Sequence, residues 1–285
     1  MATWRSGRTL GRMKNSPSSV AALLLTIILA AGCERAASHR SIEIATTTSL
    51  EGSGLLSVLQ QVFLHDTGIE LQPFVVGSGL AMRLAEQGHV SLIITHDPVA
   101  ERDFVRRMHP LIYRQFMWND FVIVGPHADP AHVRSATSAV DAFSRIFHSR
   151  SKFCSRNDQS ATNTRELAIW KAADIAPPSN PNYLRMGQPM AHLLRSANEL
   201  SAYALSDRAT FDRLVRVLNL EVVFSGDPVL RNTYSVTLLR PVRSTRPREL
   251  QDAQHFAQWL LSDRGRDVIT RFTIDGRRQF HLVPE

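Results

Sequence analysis

Apolar segments with strand character alternate with helical patterns along the first half of this 285-residue chain. In the helical segments apolar residues recur every three or four positions, and the strand segments are short apolar runs bounded by Gly, Pro or polar residues. The predicted strands cover 42–44, 69–76, 90–95 and 121–124, and the predicted helices cover 55–68, 80–87 and 99–108. Such alternation predicts an α/β fold in which most strands are parallel.

A second lobe is expected to begin at 140–147, and helical patterns follow over 164–173, 190–205 and 249–272. Hydrophobic residues make up 44% of the chain and charged residues 21%, as in ordinary soluble domains. After the first 33 residues no apolar stretch is long enough to cross a membrane. The remaining length suits two modest lobes better than one unit.

The first 33 residues have the pattern of a bacterial export signal. An apolar run over 20–31 follows a positive segment and leads through small residues into Cys33; the positive residues are Arg5, Arg8, Arg12 and Lys14. Small residues before a cysteine resemble a lipobox, which predicts a lipid on Cys33 and a periplasmic or membrane-anchored protein of the cell envelope. Ala30 stands where leucine is commoner, so cleavage without lipid is the alternative. Lipidation would leave Cys154 alone, without an internal disulfide.

The formal charge of +7 does not indicate a nucleic-acid-binding protein. Four of the positive charges lie in the export signal, and the other arginines are scattered among acids, as over 101–107. No basic run carries interleaved aromatic residues, which argues against nucleic acid as a partner. The basic surplus is better interpreted as a solvated face that steers anions weakly.

A hydroxyl cluster over 46–49 follows the first strand and precedes Ser53 and the first helix. Hydroxyl groups and free N–H groups at a helix start form a site for an anion. The alternative is that the threonines only finish the strand and Ser53 only caps the helix.

Two later segments repeat this arrangement. Gly77, Ser78 and Gly79 join a strand to a helix, although most such turns are only turns. Over 153–163 a short strand leads to Arg156, which can form a bidentate contact to an oxyanion, and then to hydroxyl residues at a helix start. The alternative for the last segment is an Arg156–Asp158 pair on the surface, with Ser160 as a cap only.

These segments resemble the tungstate-binding proteins of ABC transporters (TupA type). The resemblance spans nearly the whole mature chain and includes 45–49, 76–81, 119–126, the Arg156 segment, 203–208, Gly226-Asp227, Asn232 and Tyr234. It implies a type II periplasmic binding protein: two lobes, each a mostly parallel sheet flanked by helices, joined by two hinge crossovers. Lobe 1 is expected over 41–124 plus 234–285 and lobe 2 over 125–233, with hinges near Val124 and Thr233.

The resemblance also implies the residues that bind the oxyanion. They come from all three motifs and are Thr47, Thr48, Ser49, Ser78, Gly79, Arg156, Ser160 and Thr162. None is expected to ligate a metal cation, and no cofactor is expected. The third motif departs from the family pattern at Asn157, Gln159 and Ala161. Two of these replace glycines, which matters if those positions need positive φ: asparagine tolerates that conformation and alanine does not do so easily.

The expected function is capture of a tetrahedral oxyanion, tungstate first, by a monomer that delivers it to an ABC permease in the inner membrane. Molybdate or another oxyanion, an oxyanion sensor without a transporter, and a secreted hydrolase are the alternatives. Phosphate retains a proton and needs a buried acceptor, for which Asp158 is the candidate. His96-Asp97 is interpreted as a surface pair rather than part of a metal site, and Trp118 and Trp170 as core residues. No Gly-x-Ser-x-Gly or His-Glu-x-x-His motif supports an enzyme.

Overall fold

The computed structural model describes residues 1–3, 40–176, 180–241 and 247–284. Its strands are β1 (Arg40–Thr47), β2 (Ile69–Val76), β3 (Leu92–Thr95), β4 (Ile112–Pro126), β5 (Phe153–Ser155), β6 (Tyr183–Arg185), β7 (Tyr203–Asp207), β8 (Leu220–Phe224), β9 (Arg231–Leu238), β10 (Thr273–Ile274), β11 (Arg277–Arg278) and β12 (His281–Leu282). Its helices are α1 (Thr48–Ser53), α2 (Leu55–Thr67), α3 (Ser78–Glu86), α4 (Pro98–Met108), α5 (Ala139–His148), α6 (Ala161–Ala172), α7 (Met190–Glu199), α8 (Arg208–Leu214), α9 (Pro247–Leu261) and α10 (Asp263–Arg271). The predicted export signal and Cys33 lie outside the described residues.

The main sheet has the strand order β2-β1-β3-β9-β4-β7-β5-β6, with β8 and β12 also paired to β4. Its outer strands are parallel: β1 pairs with β2 and β3, and β5 pairs with β6 and β7. Its centre is antiparallel, because β9 runs against β3 and β4, and β4 runs against β7 and β8. The predicted α/β fold is confirmed, and the parallel pairing expected from the alternation holds for the outer strands.

Strand β4 belongs to both halves of this sheet. Its first part, 112–120, pairs with β9, and its second part, 121–126, pairs with β7 and β8. The sequence indicated only the second part, because polar residues such as Arg114 and Gln115 interrupt the apolar pattern of the first. The antiparallel centre arises because β4 and β9 pass directly between the halves instead of returning through a helix.

Each half has its own apolar core. In the half that contains β1, Phe63 of α2 packs edge-on against Phe256 of α9 at 4.9 Å between ring centroids. In the other half, Phe143 of α5 packs against Trp170 of α6 at 4.5 Å. Burial of each such ring stabilises the fold by roughly 2–3 kcal/mol. Separate cores allow the halves to move as units.

The two tryptophan predictions have different outcomes. Trp170 is 2% exposed and is a core residue, as predicted. Trp118 is only half-buried, so its prediction was wrong. Its ring stacks on His281 at 4.4 Å between centroids, and Arg231 Cζ lies 4.4 Å from its centroid.

Two predicted helices end earlier than expected. The pattern over 190–205 combines α7, which ends at Glu199, with β7, and Ser201 between them has a positive φ of 49°. The pattern over 249–272 is interrupted at Ser262, whose hydroxyl caps α10 by accepting a hydrogen bond from Gly265 N at 3.5 Å. Within the described part of the chain, no helix is both long and apolar enough to span a membrane.

Candidate functional site

The first hydroxyl cluster lies where β1 becomes α1. Thr47 is the N-cap of α1, and its Oγ1 accepts a hydrogen bond from Leu50 N at 3.3 Å. A hydroxyl that accepts this bond keeps its own proton for a ligand. Thr46, Thr47 and Ser49 are buried and Thr48 is half-buried. Thr46 Oγ1 has no hydrogen-bond partner among the described residues.

The second motif lies beside the first because β1 and β2 are paired strands. Thr47 is in register with Val76, and Gly77 and Ser78 follow directly at the start of α3. Gly77 is the N-cap and has no side chain to bind the first N–H groups of the helix, which have no acceptor within it. Ser78 is buried, and its Oγ accepts a hydrogen bond from His96 N at 3.3 Å.

The third motif lies directly opposite the second. A Cβ atom placed on Gly77 would be 3.9 Å from Cα of Ser160, so the turn before α3 faces the turn before α6. Ser160 caps α6, with its Oγ accepting a hydrogen bond from Asn163 N at 3.3 Å. The N-termini of two helices from opposite halves of the sheet therefore approach each other, and both attract negative charge.

Arg156 supplies a buried cation to this place. It is 3% exposed, donates a hydrogen bond from Nε to Asp158 Oδ2 at 2.9 Å, and also donates from Nη2 to the same oxygen. The pair with Asp158 exists, but the buried guanidinium is not a surface group. Arg156 Nη1 and Thr162 Oγ1 are buried and have no hydrogen-bond partner within the described residues. We call these two atoms and Thr46 Oγ1 the open donors.

The backbone conformation between β5 and α6 shows how this chain accommodates the three residues that depart from the family pattern. Asn157 has a φ of 45°, so this position does need positive φ, and asparagine accepts it. Ala161 is the first residue of α6, so the expected difficulty for alanine does not arise there. Gln159 has a φ of 58°, which the sequence did not indicate.

His96 and Asp97 are both buried, at 4% and 8% exposure, so the interpretation as a surface pair was wrong. The His96 ring stacks on Tyr234 at 4.8 Å, and its Nδ1 lies 2.7 Å from Asn232 Oδ1. The Asn232 amide nitrogen donates to Asn119 Oδ1 at 2.7 Å, which assigns Asn232 Oδ1 as an acceptor and His96 Nδ1 as protonated. Burial, aided by the charge of Arg156, lowers the pKa of His96 to about 4.

Asp207 is a second buried group that sequence reasoning missed. It is the N-cap of α8, and its Oδ1 accepts a hydrogen bond from Thr210 N at 2.9 Å. Its Oδ2 is buried and has no hydrogen-bond partner in the part of the chain that the structure describes. Burial raises the pKa of Asp207 to about 6, against the opposing effect of the Thr210 hydrogen bonds and the charge of Arg156.

One of the two missed residues had an available signal. His96 directly follows the predicted strand β3, and ligand sites of α/β proteins lie at the carboxyl ends of strands; Asp207 ends β7, which the sequence did not predict, so the same signal was hidden there. Over 1–3, 40–176, 180–241 and 247–284, no three His, Cys, Asp or Glu residues are grouped so that they could hold a metal ion. The structure thus brings the three predicted motifs together around buried donors, while contact of the predicted residues with a ligand remains a prediction.

Comparisons with known proteins identify the family of this chain. Residues 33–264 match the family model of the PBP superfamily domain. The chain is 32% identical over 272 residues to the tungstate-binding protein TupA of Peptoclostridium acidaminophilum, which covers 91% of this chain and 94% of that protein. The solved structure of TupA from Desulfovibrio alaskensis G20 superposes with a TM-score of 0.74 at 32% identity, covering 86% of this chain and all of that one. The tungstate ABC transporter structure from Geobacter sulfurreducens gives 0.73 at 31% identity, covering 81% and 98%.

Since the family model covers most of the chain and a TupA protein exceeds 30% identity over nine-tenths of it, this chain belongs to the PBP superfamily and, within it, to the TupA-type proteins.

Proposed function

We propose that this protein is an extracytoplasmic solute-binding protein that captures a tetrahedral oxyanion, tungstate first, for an ABC importer. The observation that carries the proposal is the pair of open donors Arg156 Nη1 and Thr162 Oγ1, buried beside the facing helix starts of α3 and α6. A buried donor without a partner costs about 1–3 kcal/mol, and an anion between the two halves would recover that cost.

Ligand chemistry favours a fully deprotonated anion. Tungstate, molybdate and sulfate accept hydrogen bonds and donate none, which suits hydroxyl groups, helix N–H groups and one guanidinium. We expect the predicted contacts to come from Thr47, Thr48, Ser49, Ser78 and Gly79 on one side and from Arg156, Ser160 and Thr162 on the other. Tungstate takes precedence over molybdate because the TupA relatives are named for it.

A hydrolase is poorly supported by the same geometry. Ser78 Oγ accepts a hydrogen bond from the His96 backbone N–H and not from the ring, and burial lowers the pKa of His96 to about 4, which makes its imidazole a weak base. A serine nucleophile needs the imidazole of a histidine as its base, and the described contacts do not offer that pairing. The relatives are named as binding and transport proteins, which also supports a protein that is not an enzyme.

Capture requires the two halves to separate and close. We place lobe 1 over 41–124 plus 234–285 and lobe 2 over 125–233, with the hinges near Val124 and Thr233, a few residues from where β4 changes partners and where β9 begins. Ser78, Arg156 and Thr162 are buried in the described conformation, so an anion reaches them only when the lobes open. Closure follows because only the closed state offers both lobes to the anion. The closed monomer would then dock on the permease.

We infer the location from the predicted export signal over residues 1–33. We propose that the mature protein is held at the bacterial membrane by a lipid on Cys33. Cys154 is the matched control, because it is 1% exposed and burial raises the pKa of its thiol to about 11, which makes it unreactive. Labelling with a fatty acid in vivo should mark the wild type and Cys154→Ser but not Cys33→Ser. Label on Cys33→Ser would refute the assignment.

Thermal unfolding tests the proposed ligand. The chain from residue 34 onward would be heated with tungstate, molybdate, sulfate or phosphate at equal concentration. At one hundred times its dissociation constant, a ligand of the folded state adds about 2.7 kcal/mol, which raises the Tm by several degrees. We expect a shift with tungstate, with or without one for molybdate. If none of the four anions shifts the Tm, the oxyanion proposal fails.

A further inference from the structure

Asp207 is a buried acid whose Oδ2 atom has no hydrogen-bond partner among the described residues. The residue is 0% exposed, and β7 delivers it beside β4, where it is in register with Phe121. The α8 helix that it caps packs on α1: a Cβ on Gly52 would lie 2.9 Å from Thr210 Oγ1. Asp207 therefore lies between the β4 crossover and the helix that follows the first hydroxyl cluster.

Arg156 and Asp207 attract each other but do not form an ion pair among the described residues. Arg156 lowers the pKa of Asp207 through its charge, yet the ion pair of the guanidinium is with Asp158. Arg156 Nη1 and Asp207 Oδ2 are both buried, and each lacks a partner in the described part of the chain. Each of these two atoms is therefore available to a further group.

We propose that Asp207 contacts the captured oxyanion through Oδ2 as a protonated acid, so that binding of the anion takes up one proton from solvent at this carboxyl. This inference rests on the proposed function. An ionised carboxylate beside a dianion would be strongly repelled, whereas the protonated form has an O–H that donates to an anion oxygen. The proton that enters is retained on Asp207, and no bond of the anion changes.

Of the charged and titratable groups around Asp207, we assign the proton to Asp207 itself. Arg156 is a fixed cation. Burial raises the pKa of Tyr234 well above its ordinary value, and the pKa of His96 is about 4, so both rings stay neutral near neutral pH. Asp158 is held by Arg156, and Glu51 of α1 is exposed to solvent.

Glu166 of α6 is the competing buried acid. Ser155 Oγ donates to its Oε2 at 2.9 Å, and Tyr183 OH lies 2.6 Å from its Oε1, so both of its oxygens are engaged by protein groups. Glu166 therefore has no oxygen left for a ligand. It makes a suitable comparison, because its pKa is also raised, to about 7.

The sign of the pH dependence follows from linkage. The free protein has Asp207 with a pKa of about 6, and a neighbouring dianion raises that pKa further. At pH 7 about 0.9 of the carboxyl groups are ionised before binding, so about 0.9 proton is taken up for each anion bound. Affinity should fall about tenfold per pH unit above pH 7, until the pH passes the pKa of the complex.

Calorimetric titration with sodium tungstate measures this proton directly. Heats of binding would be compared at about pH 7 in buffers of different ionisation enthalpy, none of them an oxyanion. We expect uptake of close to one proton in the wild type and in Glu166→Gln, and close to none in Asp207→Asn. Asparagine and serine both cap helices, so Asp207→Ser replaces the first variant if that one does not fold.

The outcomes separate the two proposals. No heat with tungstate would refute the proposed function itself. Tungstate binding without proton uptake by the wild type would overturn the role of Asp207 alone. Uptake that persists in Asp207→Asn or Asp207→Ser, or that disappears in Glu166→Gln, would assign the proton to another group and also overturn it.

Discussion

Replacement of Arg156 by alanine is the substitution that should weaken anion binding most. The side chain is 3% exposed, so water cannot take over its contact with the anion. Of its three donor nitrogens, Nε and Nη2 donate hydrogen bonds to Asp158, and Nη1 is the open donor. Arg156→Ala would therefore remove both the fixed cation and the donor that we assign to the anion.

The magnitude follows from the burial of the charge. Removing one partner from a buried charged pair costs about 3–5 kcal/mol, so even the lower value raises the Kd for tungstate about 150-fold. The unfolding free energy without ligand should change much less, by about 1 kcal/mol, because Asp158 is 24% exposed and water can solvate it once Arg156 is gone.

Calorimetry measures the Kd for tungstate, and urea unfolding measures the unfolding free energy.

Arg156→Lys keeps the charge, but an ammonium group cannot donate to Asp158 and to the anion in the way that the planar guanidinium does, so we expect about a tenfold loss of affinity. Arg145→Ala is the matched control: it breaks an arginine–aspartate pair with Asp141 at 3.0 Å on a partly exposed helix face, away from the site. Its Kd should equal that of the wild type. An unchanged Kd in Arg156→Ala would refute the role of this residue.

Three further substitutions test the site and the fold. Thr162→Val removes an open donor, so calorimetry should show about a tenfold weaker Kd for tungstate, while the unfolding free energy changes by less than about 0.5 kcal/mol. Gly125→Ala would place a Cβ 2.4 Å from Tyr203 Cδ1, and urea unfolding should reveal a loss of about 2 kcal/mol. Burial raises the pKa of Glu166 from 4.5 to about 7, so the folded protein retains a proton that the unfolded chain releases. The resulting stability is present below pH 4.5 and is lost as the pH rises to about 7, by about 3 kcal/mol; Glu166→Gln should flatten this pH dependence in urea titrations.

The parts of the fold that sequence predicted best are amphipathic helices between clear breakers. The predicted helix 99–108 is α4, Pro98–Met108, and the predicted helix 80–87 corresponds to α3, Ser78–Glu86. Strand β7 was missed because all five of its residues are buried, so it has no alternation that would separate it from the end of α7. The first part of β4 was missed because polar residues interrupt a strand that passes between the halves.

Residues of the candidate site were likewise predicted only where the local sequence carries a pattern. Hydroxyl and glycine residues at strand-to-helix turns are local patterns, and the motifs around Thr47, Ser78 and Arg156 were predicted from them. The burial of His96 and Asp207 depends on the packing of both halves around the crossover strands. Nothing in their immediate sequence distinguishes them from the exposed polar residues that follow many strands.

Anomalous diffraction from a crystal grown with tungstate tests the central claim most directly, because tungsten scatters anomalously and marks its own position. We predict one strong peak between the two halves, within hydrogen-bond reach of Arg156 Nη1 and Thr162 Oγ1 through the anion oxygens, with the turn at Ser78 on the opposite side. A peak elsewhere on the molecule, or no peak at saturating tungstate, would contradict the assignment of this site.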